Sequence, residues 1–143
     1  MHDQEFCFLT IDELSVLIQR KEVSPLDVTK AALDRIDALD GKLNSFITVM
    51  RDEALDAAKD AERTILKGGY IGPLHGIPVS LKDLLNTRGV RTTGGSKILC
   101  DNVPDSDATL VERLREAGAI IIGKTNLHEF ACGPTTLNQH YGP

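Results

Sequence analysis

Residues 107–125 read DATLVERLREAGAIIIGKT, and this stretch decides the fold class. Its first part has apolar residues at the spacing of one helix face, which predicts a helix over residues 107–117 that ends at Gly118. The predicted face consists of Leu110, Leu114 and Ala117. After the glycine, three consecutive isoleucines favour an extended strand, because β-branched residues fit a strand better than a helix. A strand with only apolar residues is typical of a sheet that is buried on both faces.

A second strand is predicted on the N-terminal side of this helix, over residues 79–83. It follows a segment rich in Pro and Gly at residues 73–78, which predicts a turn. Two strands separated by a helix suggest a βαβ unit with a parallel pair of strands. Residues 71–143 are therefore predicted to form an α/β segment.

The first half of the chain, residues 1–70, is predicted to be mainly helical. The sequence TIDE at residues 10–13 is a capping box and begins one helix. Ser24 and Pro25 supply the N-cap and the first residue of a second helix, for which Gly41 predicts the end. The apolar positions of the second helix share one predicted face, formed by Val28, Ala32, Ile36 and Leu39.

A short strand and a third helix complete this half. Residues 45–50 read SFITVM and have the β-branched and aromatic content of a buried strand. Residues 51–67 are rich in alanine and predict a helix. Its apolar stripe contains Ala54, Ala58, Ala61 and Ile65. All of these elements are predicted to belong to one domain over residues 1–143.

Composition excludes several classes of protein. The 143 residues include 16 Lys+Arg and 21 Asp+Glu, so the net charge is −5, which argues against a nucleic-acid binder. No run of 18 apolar residues is present, so no membrane-spanning segment is predicted. The N-terminus lacks the basic region of a secretory signal, and the three cysteines are far apart, so we expect a cytoplasmic protein with reduced thiols.

Residues 118–125 match the phosphate-binding pattern G-x-x-x-x-G-K-[ST], but the residues within the pattern argue against it. A phosphate-binding loop turns its backbone N–H groups inward, whereas these isoleucines favour a strand. A helix would also have to begin at Lys124, and Asn126 is predicted to be the next N-cap instead. We therefore predict no nucleotide site and no cofactor.

Histidine and cysteine do not form a predicted metal or nucleophile site. The four histidines have no ligand spacing, and the adjacent side chains of His128 and Glu129 should diverge. His75 lies in the Gly/Pro turn and is predicted to stabilise it by hydrogen bonding. Cys132 is surrounded by small residues, and buried packing is its predicted role.

Lys82 is the strongest candidate for a catalytic residue. It follows the largely apolar residues 77–81, and the alternation of that strand places it either inward or at a sheet edge beside a loop. Burial would lower the pKa of a lysine and make it a general base near neutral pH. The alternative is a lysine at a strand end that pairs with a carboxylate. Asp83 is predicted to face away from Lys82, so its replacement should have the milder effect.

Four segments together resemble the amidase signature family. They read GPLHGIPVSLKD at residues 72–83, GVRTTGGS at 89–96, DATLV at 107–111 and GAIIIGKTNLHEF at 118–130. The last segment is similar to the family pattern G-K-T-N-x-x-E-F. The resemblance is dense over the second half of the chain and weaker over the helical first half.

The resemblance implies an amide-cleaving Ser–cis-Ser–Lys mechanism in which Lys82 is the catalytic lysine. It also implies that Ala131, Cys132 and Gly133 border the substrate pocket. The implied fold is α/β/α, in which N-terminal helices lead into the first part of a mixed sheet that this chain leaves incomplete. The implied substrate is a small-molecule amide, with no cofactor and no metal.

This sequence also departs from the family. The family's Gly-Gly-Ser-Ser-Gly-Gly stretch and its nucleophile-bearing loop are absent, and residues 94–96 precede the matched helix and strand and cannot replace them. We therefore expect the first part of a longer enzyme that is inactive alone; an inactive truncated product is the alternative. Leu127 and His128 slightly favour a stand-alone amidase over the A subunit of an aspartyl/glutamyl-tRNA amidotransferase, which would require partner subunits.

Overall fold

A computed structural model describes residues 3–143 of the protein. Met1 and His2 lie outside the described residues, so the interpretation of the extreme N-terminus and of that histidine stays a prediction. The main elements are α1 (Ile11–Gln19), α2 (Pro25–Leu43), β1 (Phe46–Val49), α3 (Arg51–Leu66), β2 (Pro78–Lys82), α4 (Thr109–Glu116) and β3 (Ile120–Thr125). Short 3-10 segments cover Asp3–Phe8, Lys97–Leu99 and Glu129–Ala131.

The three strands form one mixed sheet in the order β1-β3-β2. The central strand β3 pairs in parallel with β2 and antiparallel with β1. The predicted βαβ unit is thus confirmed as β2–α4–β3, and the α/β class is confirmed with it. Because β1 comes from the first half of the chain, both halves contribute to one sheet.

Apolar packing covers both faces of the sheet. On one face, Ile120 and Ile122 pack against Leu33 of α2 and the alanine stripe of α3. On the other face, Ile121 packs with Val111 of α4. The small alanine side chains let α3 approach the sheet closely, and this explains why the predicted stripe is buried.

A register shift in β3 changes which side of the sheet its last residues face. Val79 pairs with Ile121, whereas the next residue of β2 pairs with Gly123, so β3 contains one extra residue, Ile122. Side chains alternate along a strand, and an extra residue reverses the alternation beyond it. Lys124 therefore lies on the α4 side of the sheet, although it is two residues from Ile122 on the α3 side.

The helix starts follow the sequence signals, but one helix end does not. Thr10 and Glu13 form the predicted capping box, and Ser24 caps α2 with Pro25 in its first turn. The predicted stop at Gly41 is wrong, because α2 continues to Leu43. It ends at Asn44, whose left-handed backbone (φ 51°) closes the helix.

Two predicted helix faces also need correction. In α4 the buried residue is Val111, while Leu110 is about half exposed. The reason is that α4 turns Val111 into the core cluster around Ile121, with Leu114 partly buried beside it, so that Leu110 lies toward solvent. In α2, Leu39 is exposed and Thr29, Ala31 and Leu33 are buried, because the helix packs against both α3 and the N-terminal segment.

Across residues 3–143, no helix combines the length and the apolar character that crossing a lipid bilayer requires.

Candidate functional site

Lys82 is the last residue of β2, which is an edge strand of the described sheet, and its side chain is exposed. Of the two placements that the sequence allowed, the structure has the sheet edge beside a loop and excludes the inward one. The desolvation that would accompany burial is therefore not supplied by residues 3–143. The backbone of Lys82 is nevertheless fixed, because it pairs with Thr125 of β3 and accepts a hydrogen bond from Leu85 N at 3.0 Å.

Asp83, the next residue, is fully buried on the other side of the chain. Its Oδ2 accepts hydrogen bonds from the backbone N of Thr93 at 2.8 Å and from Thr93 Oγ1 at 2.5 Å. Its Oδ1 lies 3.4 Å from Lys124 Nζ in an ion pair whose two side chains are both 0% exposed. Lys82 and Asp83 therefore differ completely in environment, as strand alternation predicts.

Lys124 completes this buried polar cluster from the central strand. Its ammonium donates to the carbonyl O of Leu85 at 2.8 Å and to Thr92 Oγ1 at 2.7 Å. Burial lowers the pKa of Lys124, while the charge of Asp83 opposes that shift. The ammonium thus donates two hydrogen bonds, and the carboxylate of Asp83 compensates its charge at 3.4 Å, although Asp83 Oδ1 itself accepts no hydrogen bond from the residues that the structure describes. Lys124 thus connects Leu85 and Thr92, two separate points of the loop that follows β2.

The loop then turns through two buried glycines, Gly94 and Gly95, which both have left-handed backbones (φ 61° and 69°). A Cβ atom on Gly95 would lie 2.7 Å from the side chain of Asn138, so a larger residue does not fit there. Gly94 N donates to Asp83 O, and Gly94 O accepts from Phe130 N at 2.7 Å. The turn therefore joins the end of β2 to the segment that begins at Phe130.

The predicted pocket residues follow Phe130 directly. Ala131 is half-buried with a positive φ of 58°, and Gly133 packs against the ring of His128. Cys132 is exposed, so its predicted role in buried packing is wrong. The reason is that the left-handed backbone at Ala131 turns the chain outward. Hydrogen bonds connect this segment through Gly94 to Asp83, next to Lys82, but no substrate pocket is defined by these residues alone.

A second polar cluster borders the same turn. The carboxylate of Glu129 accepts from Ser96 Oγ at 2.6 Å and lies 3.2 Å from His140 Nε2. The Ser96 hydrogen bond is the main reason that the pKa of Glu129 is lowered. His128 and Glu129 diverge, as predicted, because His128 contacts Gly133 instead. Among the side chains described, those of residues 5–143, no group of three or more His, Cys, Asp and Glu is placed to hold a metal ion.

The tail of the chain is attached to this site. Asn138 is buried and donates to the carbonyl O of Gly95 at 2.7 Å and of Leu127 at 2.8 Å. Its Oδ1 also accepts from the backbone N of His140. The loop composition of residues 134–143 therefore reflects an ordered loop rather than a disordered tail.

The structure also shows what the other predicted motifs form. The phosphate-binding pattern is strand β3, as the isoleucines predicted. Asn126 is not an N-cap: its side chain accepts from Leu127 N and donates to Asn44 O, and the next short helix begins at Glu129. His75 is buried and accepts a hydrogen bond from Ile71 N at 3.3 Å, which confirms its role in the turn.

Comparison with known proteins identifies the family to which this architecture belongs. A family model described as Amidase matches residues 27–143. The chain therefore belongs to the amidase family, and its structural neighbours are amidase-signature enzymes.

Relatives and solved structures agree with this assignment. The A subunit of glutamyl-tRNA(Gln) amidotransferase from Moorella thermoacetica is 46% identical over 139 residues, which are 97% of this chain and 28% of the relative. Peptide amidase from Stenotrophomonas maltophilia is 41% identical, with a TM-score of 0.79 over 84% of this chain and 25% of that chain. A bacterial aryl acylamidase of the amidase signature family is 29% identical, with a TM-score of 0.87 over 94% of this chain and 28% of that one. This chain thus spans less than a third of their length.

Sequence reasoning missed the two charged residues that the structure buries. The motifs place Lys124 only within a phosphate-binding pattern, and Asp83 only beside Lys82. The signal that could have found Lys124 is its place two residues after an isoleucine run that predicts a strand buried on both faces, because such a strand leaves no route to solvent. The expectation that replacing Asp83 has a milder effect than replacing Lys82 stays a prediction, and its carboxylate is the centre of the buried cluster.

Proposed function

We propose that this chain is the lysine-bearing N-terminal portion of an enzyme that hydrolyses a carboxamide, with Lys82 as its general base. One observation carries the proposal: within a chain that matches the amidase family over residues 27–143, Lys82 presents an exposed amine at the end of β2. The buried cluster beneath it supports the role, because a catalytic group needs a fixed backbone.

In the proposed reaction, a serine hydroxyl attacks the amide carbonyl carbon. Its proton passes through a second serine, which lies in a cis peptide, to the neutral amine of Lys82. The lysine then returns the proton to the departing nitrogen as the C–N bond breaks, and water hydrolyses the acyl-serine. Both serines belong to stretches that are absent from this sequence, so residues 1–143 alone should not turn over amides.

Two replacements of Lys82 test the proposal in a chimera. In it, this chain replaces the segment of the Moorella thermoacetica relative that it matches over 139 residues. Lys82→Ala should lower kcat by about 10²–10⁴-fold, the usual contribution of a general base. Lys82→Arg should not restore it, since a guanidinium stays protonated at any working pH. Steady-state kinetics with glutamine measure both effects.

The matched control is Lys59→Ala, an exposed lysine on α3, which should leave kcat unchanged. The 143-residue chain, assayed alone with glutamine and benzamide, should release no ammonia above background. Near-normal kcat in the Lys82→Arg chimera would show that Lys82 is a structural cation. Ammonia release by the isolated chain that is lost in Lys82→Ala would contradict the proposed serine relay.

A second candidate function is that of one component of a tRNA-dependent amidotransferase. The observation that favours it is that relatives with 45–50% identity are named as the A subunit of glutamyl-tRNA(Gln) amidotransferase. Leu127 and His128 favour the stand-alone amidase instead. A second chimera, in which this chain replaces the matching segment of the peptide amidase, distinguishes the two candidate functions. The parent enzyme whose function this chain shares should lose less kcat/KM on the exchange than the other parent enzyme. In the amidotransferase case, partner subunits are also part of the proposal.

A further inference from the structure

The backbone and side chain of Asp83 bind four other residues. Its N–H donates to Thr125 O at 3.1 Å, and its carbonyl accepts from Gly94 N at 2.9 Å. Its carboxylate accepts two hydrogen bonds from Thr93 and pairs with Lys124. A residue bound in this way has one position relative to the sheet, and Lys82 is attached to it through one peptide bond.

Thr93 passes this constraint on to the glycine turn. Its Oγ1 donates to Asp83 and accepts from Gly95 N at 3.0 Å, so one hydroxyl connects the carboxylate to the turn. Gly94 O then accepts from Phe130 N, and Phe130 directly precedes the predicted pocket segment 131–133. A continuous series of hydrogen bonds therefore leads from the residue beside Lys82 to that segment.

We propose that Asp83 is a positioning residue that, through Thr93 and the Gly94–Gly95 turn, sets the placement of the pocket segment 131–133 relative to Lys82. This inference rests on the proposed function, since it assigns a geometric task within the same reaction. Stability alone does not require the cluster, because well-packed apolar residues often replace a buried ion pair without loss. Directional hydrogen bonds fix one geometry, which apolar packing specifies less strictly.

Thr93→Val is the sharpest test, because it removes the hydroxyl and keeps the shape of the side chain. In the active chimera, Thr93→Val should lower kcat by about 10- to 100-fold, as expected for a misplacement on the order of 1 Å, and change KM less than threefold. Thr93→Ser keeps the hydroxyl and should retain kcat within about threefold. The matched control is Thr87→Val on the same loop. Thr87 is also fully buried, but its hydroxyl donates to Leu85 O and takes no part in the series of hydrogen bonds from Asp83 to Phe130, so its loss should leave kcat within about twofold.

Hydrogen exchange on the 143-residue chain gives a readout that does not depend on activity. Thr93→Val should speed exchange of the Gly95 amide by about tenfold more than that of the β3 amides, because that amide loses its acceptor. Thr93→Ser should not. Asp83→Asn provides a second variant if Thr93→Val does not fold, and should lower kcat in the same range.

The outcomes separate the two proposals. If Lys82→Ala abolishes turnover while Thr93→Val and Asp83→Asn keep normal kcat, the positioning role is wrong and the proposed function stands. If turnover does not depend on Lys82, the proposed function fails, whatever the exchange data show. Equal losses of kcat in Thr93→Val and Thr87→Val would assign the effect to general destabilisation and overturn the inference.

Discussion

Ile122 and Lys124 lie two residues apart on β3, yet they face opposite sides of the sheet and are held by opposite kinds of interaction. Ile122 packs on the alanine stripe of α3, where each contact is apolar and non-directional. Lys124 is 0% exposed and depends on three specific partners: Leu85, Thr92 and Asp83. One strand thus supports a conventional core on one side and a buried charge cluster on the other.

The difference shows on which side of the sheet the fold tolerates substitutions. On the apolar side, a shortened side chain loses contacts in proportion to its size, because dispersion and hydrophobic terms are the sum of many small contributions. On the polar side, removal of one partner leaves a buried charge without compensation, and this cost is large even for a small change of structure. Substitutions that are equal in volume should therefore have unequal effects.

The largest effect is expected from Lys124→Met, which keeps the length of the side chain and removes its charge. It leaves the carboxylate of Asp83 buried and unpaired, so the free energy of unfolding should fall by about 3–5 kcal/mol. Urea unfolding of the 143-residue chain measures this. The control is Asp83→Asn/Lys124→Met, which removes both charges and should recover most of the loss. A double variant as unstable as the single one would mean that the cluster acts through shape and not through charge pairing.

A smaller effect is expected from Ile120→Val on the apolar side. Ile120 is 1% exposed, and loss of one buried methyl group should cost about 0.5–1.5 kcal/mol. Ile98→Val is the matched control, because Ile98 is 80% exposed and should change stability very little. Both values come from the same unfolding experiment. A loss for Ile120→Val as large as that for Lys124→Met would remove the proposed contrast between the two sides.

The smallest effect concerns His75, a buried polar residue whose ring accepts a hydrogen bond from a backbone N–H, that of Ile71. Burial lowers its pKa from the usual 6.5, so below that pH the unfolded chain binds a proton that the folded chain resists. Its contribution to stability should therefore be complete above pH 6.5 and decline as the pH falls from there toward the lower folded pKa. Unfolding midpoints between pH 7 and pH 5 measure the slope, and His75→Gln should reduce it. An unchanged slope in His75→Gln would assign the pH dependence to other groups.

Much of the fold followed from local signals in the sequence. The isoleucine run of β3, the caps at Thr10 and Ser24 and the alanine stripe of α3 each have a local physical cause, and the structure confirms them. The errors arose where tertiary contacts decide. Helix α2 continues through Gly41 because Asn44 ends it, and α4 buries Val111 because of the direction in which it meets the sheet.

The candidate site was only partly predictable for the same reason. Lys82 was found through its position after an apolar strand and through the family resemblance. The cluster beneath it combines Asp83, Thr93 and Lys124, which are separated by 10 to 41 positions in the sequence. No local pattern brings them together. Their meeting depends on parallel pairing and on a register shift, and neither can be read from spacing.

That register shift has a consequence for how the segment can vary. Without Ile122, regular alternation from Ile121 would also place the lysine opposite Leu81 on the α4 side, so the shift lets β3 carry an extra residue without turning the ammonium away from Asp83. A one-residue insertion or deletion that the pairing did not absorb in this way would direct the charge toward the alanines of α3, whereas exchanges among branched apolar residues would leave its direction unchanged. In this part of the protein, the pairing of Lys124 with Leu81 is therefore the inherited constraint, and composition is comparatively free.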